Sequence, residues 1–282
     1  LRAHQKNRND PNALRELLAL IERGNDLSRE SLLKLLQGDG SASRRLAGSR
    51  PVADVGMSTD DHRGRSANGT AVKHEQALVF DASDLISYFG NARLPTGIQR
   101  VQIAIIAGAL KNRPEGSVHI CCFSDQGDSW TEVPVDSFRR ICALAVVSGD
   151  RTDPDWLDAY VQLKLDIALA QPFDFPDEAF LINLGTSWWL QNYFMFVREA
   201  KRLHNIRYVP FVHDFIPIKT PEHCIKQLTQ DFISWALGVY QHADFFLVNS
   251  QATKRDLIEV ASTLGHDVDP ASVSVIPLNA RF

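Results

Sequence analysis

The chain has 282 residues, enough to bury a sizeable core as one large domain or two small ones. With 44% hydrophobic residues, 23% charged residues and a formal net charge of -4, it reads as a globular protein without a basic surface for tracking nucleic acid. No apolar run approaches the roughly 20 residues that span a bilayer.

Residues 10 to 37 read as a helical hairpin. Asp10 and Pro11 open a first helix with a Leu14, Leu17, Leu18, Ile21 stripe, and Gly24 closes it. Ser28 caps a second helix carrying Leu32, Leu33, Leu35 and Leu36, which stops at Gly38. The segment 1–37 is thus expected to be the tail of an upstream module. Residues 38–75 are rich in Gly, Ser, Arg, Asp and Ala; they cannot repay their own ordering entropy, and a flexible linker is expected.

From Ala77 onward strand and helix signals alternate, so 76–282 is expected to be one domain. Ala77 to Phe80 is a short apolar strand ending at Asp81, and a helix from Gly97 carries Ile98, Val101, Ile105 and Leu110. Val118 to Phe123 is a buried strand, and Trp130 to Val147 is ambiguous, with two further strands as one reading. Pro154 opens a helix to Leu169, Phe180 to Leu184 is a strand, and Trp188 to Leu203 reads as a helix. Arg207 to Val212 is a strand, and Thr220-Pro221 begin a helix with Leu228, Phe232, Trp235 and Val239 on one face. Asp244 to Val248 is a strand, Ser250 caps a helix to Leu264, and Val273 to Ile276 is a last strand. Strands separated by helices of this length predict an α/β fold, a Rossmann-like parallel sheet with right-handed crossovers.

The four cysteines, 121, 122, 142 and 224, form no C-x-x-C, so buried reduced thiols are expected rather than a zinc or redox site. Cys121 and Cys122 should point to opposite faces of their strand. The nine histidines contain no ligand pair at helical spacing, no metal site is expected, and no G-x-S-x-G elbow supports a serine nucleophile.

Ligands of an open α/β sheet gather at the carboxyl ends of its strands. Three segments there carry chemistry. The first is Asp81-Ala82-Ser83-Asp84 with Arg93 to Arg100, where Pro95, Thr96 and Gly97 bring a helix N-terminus to the loop and Arg100 adds a charge, an arrangement suited to phosphate or to a plain helix cap. The second, Asn183 to Trp189, runs through Gly185, Thr186, Ser187 and Trp188 into an aromatic helix with Tyr193, Phe194 and Phe196, suited to sugar stacking, a membrane surface or simply the core. The third, Val212-His213-Asp214-Phe215-Ile216-Pro217, places a histidine where it can polarise a substrate hydroxyl, with Asp214 beside it.

Together with Phe246 to Leu257 (FLVNSQATKRDL) and Val275-Ile276-Pro277-Leu278, the segments Pro95 to Val101 and Val212 to Pro217 carry a resemblance. From Ala77 onward the sequence resembles the N-terminal, acceptor-side domain of bacterial GT-B glycosyltransferases, nearest the retaining family 4 type of polysaccharide and O-antigen assembly. The resemblance implies a hexosyltransferase that takes a nucleotide diphosphate sugar as co-substrate, without metal or other cofactor, and passes the sugar to a glycan or lipid-linked acceptor. It implies Gly97 and Arg100 at the donor diphosphate, His213 as the catalytic residue by the transferring sugar, and Asp84, Thr96, Thr186, Ser187, Trp188 and Asp214 along the cleft or acceptor side. It also implies a cytoplasmic protein with peripheral contact at the inner membrane face. Asn279 stands where a Gly often follows in that family, and the second, donor-binding α/β domain would begin where the sequence stops at Phe282. Residues 1–282 alone are therefore expected to be inactive. Two other readings remain: a flavodoxin-like binding or regulatory module using Asp81 and Asp84, and a degenerate glycosyltransferase acting as a scaffold.

Overall fold

The computed structural model describes residues 29–37, 76–124 and 129–277, together with the isolated helical positions 15 and 19. Apart from positions 15 and 19, the expected first helix lies outside the described residues, as does the expected linker over 38–75. Helix α1 (Arg29–Leu36) is present and packs on the main domain, with Leu36 buried in the same core as the sheet.

The domain is one seven-stranded sheet flanked by helices. In chain order come β1 (Leu78–Asp81), α2 (Ser83–Asn91), α3 (Gly97–Asn112), β2 (Val118–Ser124), β3 (Ser129–Glu132), α4 (Val135–Val147) and α5 (Pro154–Leu169). Then follow β4 (Phe180–Asn183), α6 (Tyr193–His204), β5 (Arg207–Val212), α7 (Ile216–Lys219), α8 (Lys226–His242), β6 (Phe246–Val248), α9 (Gln251–Thr263) and β7 (Val273–Val275). The strand order is β3-β2-β1-β4-β5-β6-β7. Every pairing is parallel except that of β3, which runs antiparallel to β2 at the edge.

The continuous apolar runs of β1 and β4 are what strands covered on both faces require, and all four residues of each are buried. Alternation along β1 sends Leu78 and Phe80 to one core and Val79 to the other. The first core takes in α2 to α5; the second is closed by α6, and a third, beneath β5 to β7, by α8 and α9. Cys121 and Cys122 divide between two faces as expected. Burial pushes the Cys121 and Cys142 thiols well above their ordinary value, so they are packing groups rather than nucleophiles.

Several boundaries differ from the sequence reading. Val135–Val147 is a helix, not a strand, because Phe138, Ile141, Cys142 and Ala145 fall on one helical face and pack into the core. Ser83 and Asp84 sit in the first turn of α2 rather than in a loop. The aromatic helix begins at Tyr193, after turns at 188–192, and Asn192 precedes it with φ 57°. Thr220-Pro221 lead a single 3-10 turn, and α8 starts five residues later.

Candidate functional site

Strand β1 lies between β2 and β4, so the connections leaving β1 and β4 diverge and open a crevice at the carboxyl edge of the sheet. The register aligns Asp81 with Asn183, and Asn183 with Pro210 of β5, which brings all three chemistry-bearing segments to that edge.

The floor of the crevice is a saturated carboxylate. Asp81 is 2% exposed. One oxygen accepts from the Ser83 amide (2.9 Å) and hydroxyl, the other from Trp130 Nε1 (3.0 Å) and the Tyr193 hydroxyl (2.6 Å). Asn183 Nδ2 donates to the same tyrosine at 3.1 Å, and the Ser83 hydroxyl accepts from the Phe123 amide at 2.7 Å. Four donors compensate the buried charge, so Asp81 ties α2, β3 and α6 to the strand ends instead of facing a ligand.

Asp84 is committed as well. It accepts from the Thr186 hydroxyl, from Gln102 Nε2 at 2.6 Å and from Gln99 Nε2 at 3.3 Å. The Thr96 hydroxyl donates to Gln99 Oε1, which extends the chain of bonds to the loop before α3. Gly185 makes this tie possible. A Cβ there would stand 2.5 Å from Asp84 Cβ and 2.8 Å from Gln102 Nε2, so only glycine lets the β4 connection pass so close.

His213 follows β5 and bonds through Nε2 to the Leu184 carbonyl at 2.8 Å. A carbonyl only accepts, so Nε2 carries the proton and Nδ1 is the lone-pair nitrogen of the neutral ring. Burial lowers the His213 pKa from its ordinary value, opposed by the Leu184 bond and by Asp84 and Asp214; the ring is therefore neutral at pH 7. Its plane tilts 31° against Phe211 with centroids 4.6 Å apart. The backbone of His213 is held by Asn249 Nδ2, which donates to its carbonyl at 2.8 Å, while Ser250 caps α9 through the Thr253 amide. Asp214 is exposed and accepts from the Ile216 amide at 3.0 Å, just ahead of the short helix α7.

Before α3, Arg93 is only 1% exposed, bonds Leu144 and Asp150 carbonyls and Asp153, and lies over Trp156. This pin fixes the entry to Pro95-Thr96-Gly97. Thr96 precedes α3 without capping it, Gly97 is exposed, and a Cβ at Gly97 would meet nothing within 4 Å. The first turn of α3 thus presents its amides to an open approach. Arg100 folds back, its Nε donating to the Pro95 carbonyl at 3.2 Å.

These parts enclose a cleft of about 190 Å³. Thr186, Trp188, His213 and Asp214 line it together with Gly185, Ile98, Pro217 and the α8 side chains Leu228, Phe232 and Trp235. Asp84 stands behind that wall. Ser187 is buried with its hydroxyl taken by Trp235 Nε1 at 2.8 Å, and faces a neighbouring hollow of about 250 Å³ on the far side of Trp188. Gly97 adjoins the lining residue Ile98 in the chain, while Thr96, Gly97 and Arg100 are not part of the lining. Of the aromatic helix, Tyr193 is fully buried and Phe194 packs into both neighbouring cores, so these two rings belong to the core. Gln99 and Gln102 escaped the sequence reading, although two glutamines three apart on a largely apolar helix were a legible sign of a buried polar tie. Among the described residues no group of three or more His, Cys, Asp or Glu can hold a metal ion, and no helix is long and apolar enough to cross a membrane. No protein-family model, curated protein or solved structure matches this chain.

Proposed function

We propose that this chain is the acceptor-side α/β domain of a GT-B-type glycosyltransferase, family 4-like, that passes a hexose from a nucleotide diphosphate sugar to a glycan or lipid-linked acceptor. The observation that carries the reading is the convergence of three separate strand-end segments. Ile98 from the first turn of α3, Gly185-Thr186-Trp188 after β4, and His213-Asp214-Pro217 after β5 line one small cleft. A volume of about 190 Å³ holds roughly six waters at about 30 Å³ each, the scale of a single small ring. Its walls are aromatic and aliphatic, with a few polar groups, which suits a ring having an apolar face and peripheral hydroxyls.

In this reading the residues divide the work. His213 offers Nδ1 to a sugar hydroxyl, with its tautomer and orientation set by the Leu184 carbonyl. Thr186 is held by Asp84, and Trp188 supplies an aromatic wall. The uncapped first turn of α3, beginning at Gly97, offers backbone donors and the positive helix end to the donor diphosphate, stabilising the leaving group without a metal. A second α/β domain must then hold the nucleotide. The alternative of an acidic regulatory pocket is disfavoured by Asp81 and Asp84, because donors from Ser83, Trp130 and Tyr193 occupy one and Thr186, Gln99 and Gln102 the other.

The test is transfer by the native-length polypeptide from a panel of radiolabelled nucleotide diphosphate sugars to crude membrane acceptors. The expected result is one productive donor and a loss of at least about 100-fold in kcat with His213→Ala, in the range of a positioned acid–base group. Normal turnover by His213→Ala, or no nucleotide binding by the native polypeptide, would sink the reading.

A further inference from the structure

The cleft has a neighbour. Trp188 and Trp235 line both the cleft and the adjoining hollow of about 250 Å³. That hollow is close to the cleft in size, roughly eight waters at about 30 Å³ each, again the scale of one small ring. Its two sides are locked together. Trp235 Nε1 donates to the Ser187 hydroxyl at 2.8 Å, and Phe194 lies against Gly238, where a Cβ would overlap its ring. These contacts hold the 187–195 turn against α8, so the hollow is preformed.

The lining joins aromatic surface to unspent polar groups. Asp231 accepts from Gln227 Nε2 at 2.8 Å on one carboxylate oxygen, and its other oxygen has no partner among the described residues. The Asn192 side chain does not cap α6 and has no partner among the described residues either. The Ser234 hydroxyl gives its proton to the Gln230 carbonyl at 3.0 Å and keeps its lone pairs for an incoming donor. A carboxylate oxygen accepts from hydroxyls, an amide both gives and accepts, and an indole covers a C–H face. A neutral polyhydroxylated ring answers all three. No Lys or Arg lines the hollow and Asp231 repels anions, so a phosphate does not fit.

We propose that this hollow is a second sugar-ring site, so that the acceptor is a glycan of at least two rings, one in the cleft and the next beside Asp231. The assignment rests on the reading of the cleft as a sugar site and adds the length of glycan that the chain holds.

Titration of the native-length polypeptide with sugars tests it, followed by tryptophan fluorescence, to which both lining indoles contribute. The probes are glucose, galactose, mannose and N-acetylglucosamine, and disaccharides built from them. At least one disaccharide should bind about tenfold more tightly than its component sugars, the gain of a charge-assisted hydrogen bond. Asp231→Ala should remove most of that gain, and so should Asn192→Gly, which keeps the backbone at φ 57°. Both variants should bind the single sugars as the wild type does, with unchanged circular dichroism. A variant that still prefers the disaccharide by the wild-type factor, or a wild type with no disaccharide preference, overturns the second site. The transfer reading fails separately. Transfer to single-ring acceptors with no gain from a second ring keeps the transferase and removes this site. Disaccharide binding that depends on Asp231, with no transfer from any nucleotide sugar, keeps this site and removes the transferase.

Discussion

Asp81→Asn isolates the carboxylate at the crevice floor. The substitution keeps shape and replaces one acceptor oxygen with an NH₂ donor. If the NH₂ takes the place facing α6, it meets Trp130 Nε1, which has only a proton to give. In the other orientation it meets the Ser83 amide, equally unable to accept. One buried donor is therefore orphaned whichever way the amide turns, at a cost of about 1–3 kcal/mol. The surviving bonds also change from charge-assisted to neutral, each weaker by about 1 kcal/mol. Relief from burying a charge, worth up to several kcal/mol, offsets part of this. The expected net loss is about 2–4 kcal/mol, a downward shift of roughly 1 M or more in the urea midpoint at an m-value of about 2 kcal/mol/M. The assay is equilibrium urea unfolding followed by tryptophan fluorescence and far-ultraviolet circular dichroism. A loss below about 0.5 kcal/mol, or a gain, would mean that desolvation outweighs the four donors and that Asp81 is not the tie described.

Gly185→Ala should destabilise by about 1–3 kcal/mol, since the new methyl must displace Asp84 or Gln102; unchanged thermal unfolding would contradict the close approach. Gly97→Ala meets open space and gains helix propensity, so stability should hold or rise by up to about 1 kcal/mol while affinity for a nucleoside diphosphate falls. Isothermal titration of the native-length polypeptide with UDP and GDP checks this; affinity equal to wild type removes the α3 amides from the proposed donor site. The lowered His213 pKa has a definite sign. The unfolded histidine takes up its proton near pH 6.5 and the folded one only at lower pH, so stability is full above about pH 6.5 and falls as the pH drops through the window between the two values. His213→Gln should flatten that part of the stability–pH curve, and an identical slope in wild type and variant would refute the assignment.

Much of the scaffold was legible in the sequence because it is written in local patterns. The apolar runs of β1, β4 and β5, Pro154 at the start of α5 and Ser250 at the start of α9 each act within a few residues. From them followed an α/β alternation and the strand-end position of His213. The helix at 135–147 and the late start of the aromatic helix were not legible, since short mixed apolar segments fit either period until a partner surface selects one.

The site depended on contacts that no local pattern records. Asp81 meets Trp130 and Tyr193 from 49 and 112 positions away, and Asp84 meets Thr186 across 102. Sequence alone established which side chains carry charge, aromatic surface and a titratable ring, and that they fall near strand ends. Only the tertiary structure decided that Asp81 is sealed, that Asp84 braces Thr186 instead of facing the cleft, and that His213 presents Nδ1. The physical reason is burial: a carboxylate's role follows from which donors surround it, and strand order, not chain order, brings those donors together.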